Sequence, residues 1–224
     1  MFAGIAPRYD LLNHVLSLNI DRTWRRKVRR QLADILARPD ARVLDVACGT
    51  GDLSMELATG ANAAVIGTDF CRPMLAVADQ KSQTADLKLP YIEADAMSLP
   101  VEDNTFDAAT IAFGLRNLPN WDDGLRELSR ILKPGGRLVI LECSHPPYPV
   151  FRQLYDFYFN RVLPKIGGLV SGSQAAYTYL PNSVAKFPDQ KTLVAMMQRA
   201  GFADVTFQNL TGGIAALHSG VKQG

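Results

Sequence analysis

Cysteine is scarce in this 224-residue chain: Cys48, Cys71 and Cys143 are odd in number and widely spaced. That spacing excludes a disulfide framework and a zinc site, and leaves three packing residues in a reduced compartment. No uninterrupted apolar run approaches the ~20 residues that a bilayer span requires. The start, Met1 to Arg8, lacks a basic stretch followed by an apolar core, so no secretory leader is expected. Charge of one sign is also missing overall. A net charge of +2 is too small to point to a nucleic-acid partner. Internal repeats, low-complexity segments and a convincing domain linker are absent too. What remains, at 47% hydrophobic residues, suits one α/β domain with an ordinary core.

The chain reads as helices over residues 8–18 and 21–37, then alternating strands and helices. In the second helix Trp24, Val28, Leu32 and Ile35 share one face, while Arg22, Arg25, Arg26, Arg29 and Arg30 share the other. Strands are expected over 42–47, 64–68, 91–94, 106–112 and 137–143. Helices lie between them, one of them carrying Trp121, Leu125, Leu128, Ile131 and Leu132 at helical spacing. This alternation calls for a parallel sheet with right-handed crossovers. Residues 149–185, rich in Tyr, Phe, Leu and Val, are expected to form helices outside the sheet. A helix over 190–200 and two strands, 205–210 and 214–221, close the chain around the hairpin signal Thr211-Gly212-Gly213. A mostly parallel sheet with an antiparallel last strand is typical of class I methyltransferases.

The chemistry concentrates at residues 45–51 and 69. An apolar strand ends in Asp45-Val46-Ala47-Cys48-Gly49-Thr50-Gly51, and the next strand ends at Asp69. Glycines permit a tight turn and close approach of backbone to a ligand, and a helix start favours a negative group. A strand-ending carboxylate can accept from both hydroxyls of a ribose. Asp45 beside the turn opposes a pyrophosphate, because two anions repel. A cationic amino-acid tail, as in S-adenosylmethionine, fits better. A dinucleotide dehydrogenase is disfavoured further, since Ser54 stands where its third glycine would be.

Several longer motifs coincide with this pocket. Phe2-x-x-Ile5-Ala6-x-x-Tyr9-Asp10-Leu11-Leu12-Asn13 opens the chain, and Phe113-Gly114-Leu115-Arg116-Asn117 follows the fourth strand. Leu132-Lys133-Pro134-Gly135-Gly136-Arg137, Tyr177-x-Tyr179-Leu180, Phe187-Pro188 and Leu210-Thr211-Gly212-Gly213-Ile214 complete the series. Together they closely resemble the ubiquinone/menaquinone biosynthesis C-methyltransferases (the UbiE/MenG type), over essentially the whole chain. The resemblance implies a class I S-adenosylmethionine-dependent methyltransferase fold and methylation of one ring carbon of a prenylated hydroquinone, demethylmenaquinol to menaquinol. It also implies a single domain: N-terminal helices over 1–40, a cofactor-binding core over 41–145, substrate-lid helices over 146–188, and a final helix and hairpin over 189–224. Two positions depart from the family pattern. Asp21 stands where many relatives carry His, and Ala112 where many carry a cofactor-contacting Ser.

On this reading Gly49, Thr50 and Gly51 cradle the methionine end and Asp45 attracts its ammonium. Asp69 binds the ribose, and Asp95 with Ala96 meets the adenine. Arg116 and Asn117, at the ligand end of the fourth strand, are expected to stabilise the acceptor's phenolate and orient its hydroxyl. The base is expected among Tyr177, His145, His218 or a held water, with Tyr177 the candidate taken forward; no metal is implied. The quinol's prenyl tail implies that the enzyme meets a membrane or extracts its substrate from one, and the basic face of residues 22–30 suits anionic lipid. The expected location is therefore cytoplasmic, peripheral at the inner face of the membrane, with a homodimer allowed. Rival readings are a methyltransferase for another small aromatic or lipid, and an RNA-binding or RNA-modifying protein. Against the latter, no aromatic platform interleaves the arginines.

Overall fold

A computed structural model describes residues 19–149, 153 and 181–224. The helix expected over 8–18, the opening motif Phe2 to Asn13, Tyr177, Tyr179 and most of the 146–188 segment lie outside the described residues. The described chain builds one seven-stranded sheet in the order β3-β2-β1-β4-β5-β7-β6. Its strands are β1 (Arg42–Val46), β2 (Ala64–Asp69), β3 (Tyr91–Glu93), β4 (Phe106–Ala112), β5 (Leu132–Cys143), β6 (Phe202–Leu210) and β7 (Ala215–Lys222). The first five pair in parallel, while β7 runs antiparallel to both β5 and β6, as the hairpin signal requires. The strand order reverses between β1 and β4, because the chain moves outward from β1 through β2 to β3 and then returns to β1's other side. A crevice opens at the carboxyl ends of strands at such a reversal.

The helices are α1 (Ile20–Gln31), α2 (Ala33–Leu36), α3 (Asp52–Ala58), α4 (Arg72–Thr84), α5 (Trp121–Ile131) and α6 (Gln190–Arg199). Helix signals in the sequence are realised locally. Asn120 caps α5 by accepting from the backbone N–H groups of Asp122 and Asp123, and Asp189 caps α6 by accepting from Thr192. Both sheet faces are covered. Trp24, Val28, Leu32 and Ile35 pack with Val43, Val65, Val139 and Leu217 on one side. On the other, Leu125, Leu128 and Ile131 pack with Leu44, Ile111 and Ile140. Strands buried on both faces explain the near-continuous apolar runs in the sequence.

Three local expectations need correction. The single helix expected over 21–37 is two, because buried Leu32 leaves helical geometry (φ −111°) and its N–H bonds to Arg29 O. The strand expected from Arg137 begins at Leu132, which pairs with Phe106 before Lys133–Gly136 loop out of register. Gly135 takes a left-handed conformation there, so the Pro-Gly-Gly signal marks a bulge inside an extended segment. Likewise β6 starts at Phe202 and is broken by an irregularity between Ala203 and Thr206. No described helix is long and apolar enough to cross a membrane.

The basic face of α1 is also less uniform than its spacing suggests. Arg22, Arg26 and Arg30 are exposed. Arg25 turns inward, bonding Asp21 at 2.6 Å and Asp52 at 3.2 Å, and Asp52 is also met by Lys81. Arg29 donates to the carbonyl of Thr59, the residue that ends α3. Two arginines therefore fasten α1 to both ends of the helix that follows the glycine turn. Asp21, the departure from His, is buried and serves as Arg25's partner.

Candidate active site

A cavity of about 320 Å³ opens at the carboxyl ends of the parallel strands. Its wall follows the sheet order. Ala94, Asp95 and Ala96 come after β3; Asp69 ends β2 and Phe70 and Met74 follow it; Ala47 and Gly49 come after β1; Ala112 ends β4 and Phe113, Gly114, Asn117, Leu118 and Pro119 follow it. The sequence-derived residues Gly49, Asp69, Asp95, Ala96 and Asn117 all line it. Sequence reasoning missed Phe70, Met74, Leu118 and Pro119, although an aromatic Phe70 directly after a strand-ending acid offered a signal.

The turn after β1 is tightly tied. Asp69 accepts from the N–H of Gly49 and from that of Cys71, both at 2.8 Å, so one carboxylate joins the ends of β1 and β2. Burial holds its pKa above the ordinary carboxylate value. Gly51 donates to the carbonyl of Cys48. Both glycine N–H groups are thus occupied, and of the Gly49-Thr50-Gly51 cradle only Gly49 lines the cavity. Gly51 sits at φ +79°, and a Cβ there would come within 2.6 Å of the Tyr91 hydroxyl oxygen and 2.9 Å of Ala78 Cβ. Thr50, between the two glycines, is buried.

Asp45 lies under the cavity floor, 1% exposed, accepting from Ser54 Oγ at 2.6 Å and Thr110 Oγ1 at 2.8 Å. Burial pushes its pKa up to about 6 against the opposing effect of those two hydroxyls. Asp45 is not among the described residues that line the cavity. Asp95 accepts from Met97 N–H at its Oδ1 while facing the cavity.

The acceptor end is built differently. Arg116 does not line the cavity among the described residues. Its guanidinium bonds Glu142 Oε1 at 2.7 Å and the carbonyl of Phe113, with the two charged side chains only 8% and 2% exposed. Asn117 donates to the same Phe113 carbonyl at 3.2 Å. The described residues thus place Arg116 in a buried ion pair with Glu142, beside the expectation that it meets a phenolate. His145 is engaged with the carbonyl of Phe187. His218 is buried on β7, its Nε2 against the Gln190 carbonyl and its ring stacked on Phe207. Neither histidine lines the cavity.

The donor set fits an adenosyl sulfonium: a carboxylate for a ribose, a small Ala96 position for a base, bare glycine backbone and a buried carboxylate under the amino-acid end. Comparison with known proteins decides the family. A profile described as the ubiE/COQ5 methyltransferase family matches residues 1–222. The chain belongs to the ubiE/COQ5 methyltransferase family. It is 50% identical over 98% of its length, and 99% of the relative's, to the demethylmenaquinone methyltransferase of Thermus thermophilus. It is 46% identical over 99% of its length to the ubiquinone/menaquinone biosynthesis C-methyltransferase UbiE of a Geobacter species, covering 94% of that protein. Among solved structures, the putative methyltransferase of Bacillus halodurans superposes with a TM-score of 0.64 at 18% identity, covering 88% of this chain and 99% of that one. A phosphoethanolamine N-methyltransferase of Haemonchus contortus, solved with S-adenosyl-L-methionine, superposes at 0.60 with 18% identity, covering 87% of this chain and 53% of that one. The fold of this ubiE/COQ5 family member is thus that of the class I methyltransferases, with the cavity at their ligand end.

Proposed function

We propose that this methyltransferase converts demethylmenaquinol to menaquinol, with S-adenosylmethionine as methyl donor. The near-full-length identity to the Thermus thermophilus demethylmenaquinone methyltransferase carries this reading. When bound, S-adenosylmethionine supplies an electrophilic methyl group on a positively charged sulfur. The chain's own residues divide the remaining work along the sheet. Asp45 balances an ammonium from below, Gly49, Thr50 and Gly51 shape the turn around it, Asp69 receives the ribose, and Asp95 with Ala96 receives the base.

The β4 end is left for the acceptor ring. Asn117, which lines the cavity, takes the polar contact with the ring hydroxyl. Arg116 acts through Phe113 and Asn117, holding the loop that presents them. Tyr177, outside the described residues, is the side chain proposed to receive the hydroxyl proton in its tyrosinate form and to return it to water. A phenol ordinarily ionises near ~10, so its deprotonation needs such a partner. Segment 146–188 is proposed to cover the site, because a dry pocket favours the meeting of an anionic ring with a cationic donor. Arg22, Arg26 and Arg30 are proposed to meet anionic lipid at the cytoplasmic face, where each charge is worth ~1 kcal/mol.

Transfer of labelled methyl from S-adenosylmethionine to demethylmenaquinone tests the whole reading, with the acceptor reduced or oxidised and carried in anionic or neutral vesicles. Labelled menaquinol from the reduced form only, formed faster on anionic vesicles, is the expected result. Cofactor binding without transfer to either form rejects the acceptor. Equal rates on both vesicle types reject the lipid-facing role of α1.

A further inference from the structure

Phe113 is held in a conformation that its place in the core does not require. It follows the last residue of β4 in the left-handed region, at φ +55°, which is uncommon for a bulky side chain. Four contacts keep it there. Its N–H donates to Leu141 O at 2.8 Å, and its carbonyl accepts from both Arg116 and Asn117. Its ring meets that of Trp24, centroid to centroid 6.0 Å and tilted by 47°. Strain maintained by surrounding structure collects at functional sites.

The residues behind Phe113 come from distant parts of the chain. Trp24, 7% exposed on α1, donates its indole N–H to Thr211 Oγ1 at 3.0 Å, in the turn between β6 and β7. Gly114 brings the β4 end against β1, for a Cβ there would stand 2.6 Å from that of Ala47. With the backbone closed at Ala47 and Gly114, Phe113 is partly buried against the core cluster that holds Trp24 and also lines the cavity. A ligand laid from the β3 end to the β1 end occupies the wall residues at the ends of those strands and leaves the β4 end open. Phe113 then borders what is left.

We propose that Phe113 is the aromatic wall of the acceptor subsite, against which a flat aromatic ring packs. Trp24 and Arg116 are its positioning residues. The class of acceptor is an aromatic ring, since offset or edge contact between rings adds to simple apolar burial. The inference rests on the assignment above of the β4 end to the acceptor, and its test separates the two.

Trp24 supplies the probe. The chain has two tryptophans, and Trp121→Phe leaves Trp24 as its one indole. In that background, oxidised demethylmenaquinone with a short tail, a bound quencher, is titrated in detergent beside a prenyl alcohol of equal tail length. Cofactor affinity is followed by calorimetry. The quinone quenches Trp24 saturably and the alcohol does not. Phe113→Leu weakens quinone binding about three- to tenfold, the range of an aromatic pair contribution, with cofactor Kd unchanged within about twofold. Phe113→Tyr restores the affinity. Trp24→Phe, read by acceptor KM in the otherwise native chain, moves KM in the same direction and guards against a Phe113→Leu chain that does not fold. Unchanged quinone affinity in folded Phe113→Leu, or a shift in cofactor Kd instead, overturns the proposal. A Phe113-dependent quench without methyl transfer to demethylmenaquinol keeps the aromatic wall and discards that acceptor.

Discussion

The two ends of the cavity are made by different kinds of contact. At the cofactor end, Asp45, Gly49, Gly51, Asp69 and Asp95 sit at the ends of adjacent strands, and their partners lie on neighbouring strands or in the next turn. Asp69 to Gly49 spans 20 residues, Asp45 to Ser54 nine, and Asp45 to Thr110, on the neighbouring strand β4, 65. At the acceptor end, Trp24 and Thr211 are 187 residues apart, and Arg116 reaches 26 residues to Glu142. The first end is assembled once β1 to β4 have paired and α3 has docked on them. The second exists only when α1, β4, β5 and the final hairpin have docked together. Mutations should therefore separate them, leaving cofactor binding intact while the acceptor end fails.

Glu142→Gln gives the largest expected effect. Glu142 is 1% exposed and accepts from the Arg116 side chain and from the N–H groups of Arg116 and Cys143. Removing one partner of a buried pair leaves the other charge uncompensated, at a cost of ~3–5 kcal/mol. Urea unfolding should show that loss, and acceptor KM should rise in the surviving folded fraction with cofactor Kd little changed. A loss of cofactor affinity of the same size would abolish the distinction between the two ends.

Protons should sharpen it further. Asp45 at about 6 lies above its ordinary 3.8, so the folded chain binds that proton more tightly than the unfolded one. This group favours folding below pH ~4, and the advantage, ~3 kcal/mol, is lost as pH rises through about 6. His218 runs the other way. Burial lowers it to about 4 from 6.5, and its Nδ1 has no hydrogen-bond partner among the described residues. Its contribution, also ~3 kcal/mol, is present above pH 6.5 and lost as pH falls through about 4. Denaturation from pH 3 to 8 should find Asp45→Asn relatively more stable than the native chain above pH 6, and His218→Leu relatively more stable at pH 4. Cofactor affinity should rise between pH 5 and 7 in the native chain and stay flat in Asp45→Asn. A flat native profile would remove Asp45 from cofactor binding.

Thr211→Val is the smallest change. It leaves the buried indole N–H of Trp24 without its acceptor, for ~1 kcal/mol by urea unfolding. Acceptor KM should rise more than cofactor Kd. Equal shifts in both would mean that the hairpin supports the whole cavity rather than its acceptor end.

The sequence by itself determined the parallel sheet, its antiparallel finish and the cofactor end. Strand periodicity, a glycine turn and strand-terminal acids are local signals, and neighbouring parallel strands bring such ends together by register alone. Tertiary structure decided the rest. Arg116 reads as an active-site cation until Glu142 on β5 meets it in the dry interior. Arg25 and Arg29 read as a solvent face until α3 presents a carboxylate and a carbonyl to them. Phe113 reads as one more apolar residue until Trp24, Arg116, Asn117 and Leu141 converge on it. Each of these outcomes depends on which partner fills a side chain's surroundings after docking, and spacing along one strand or helix carries no record of that partner.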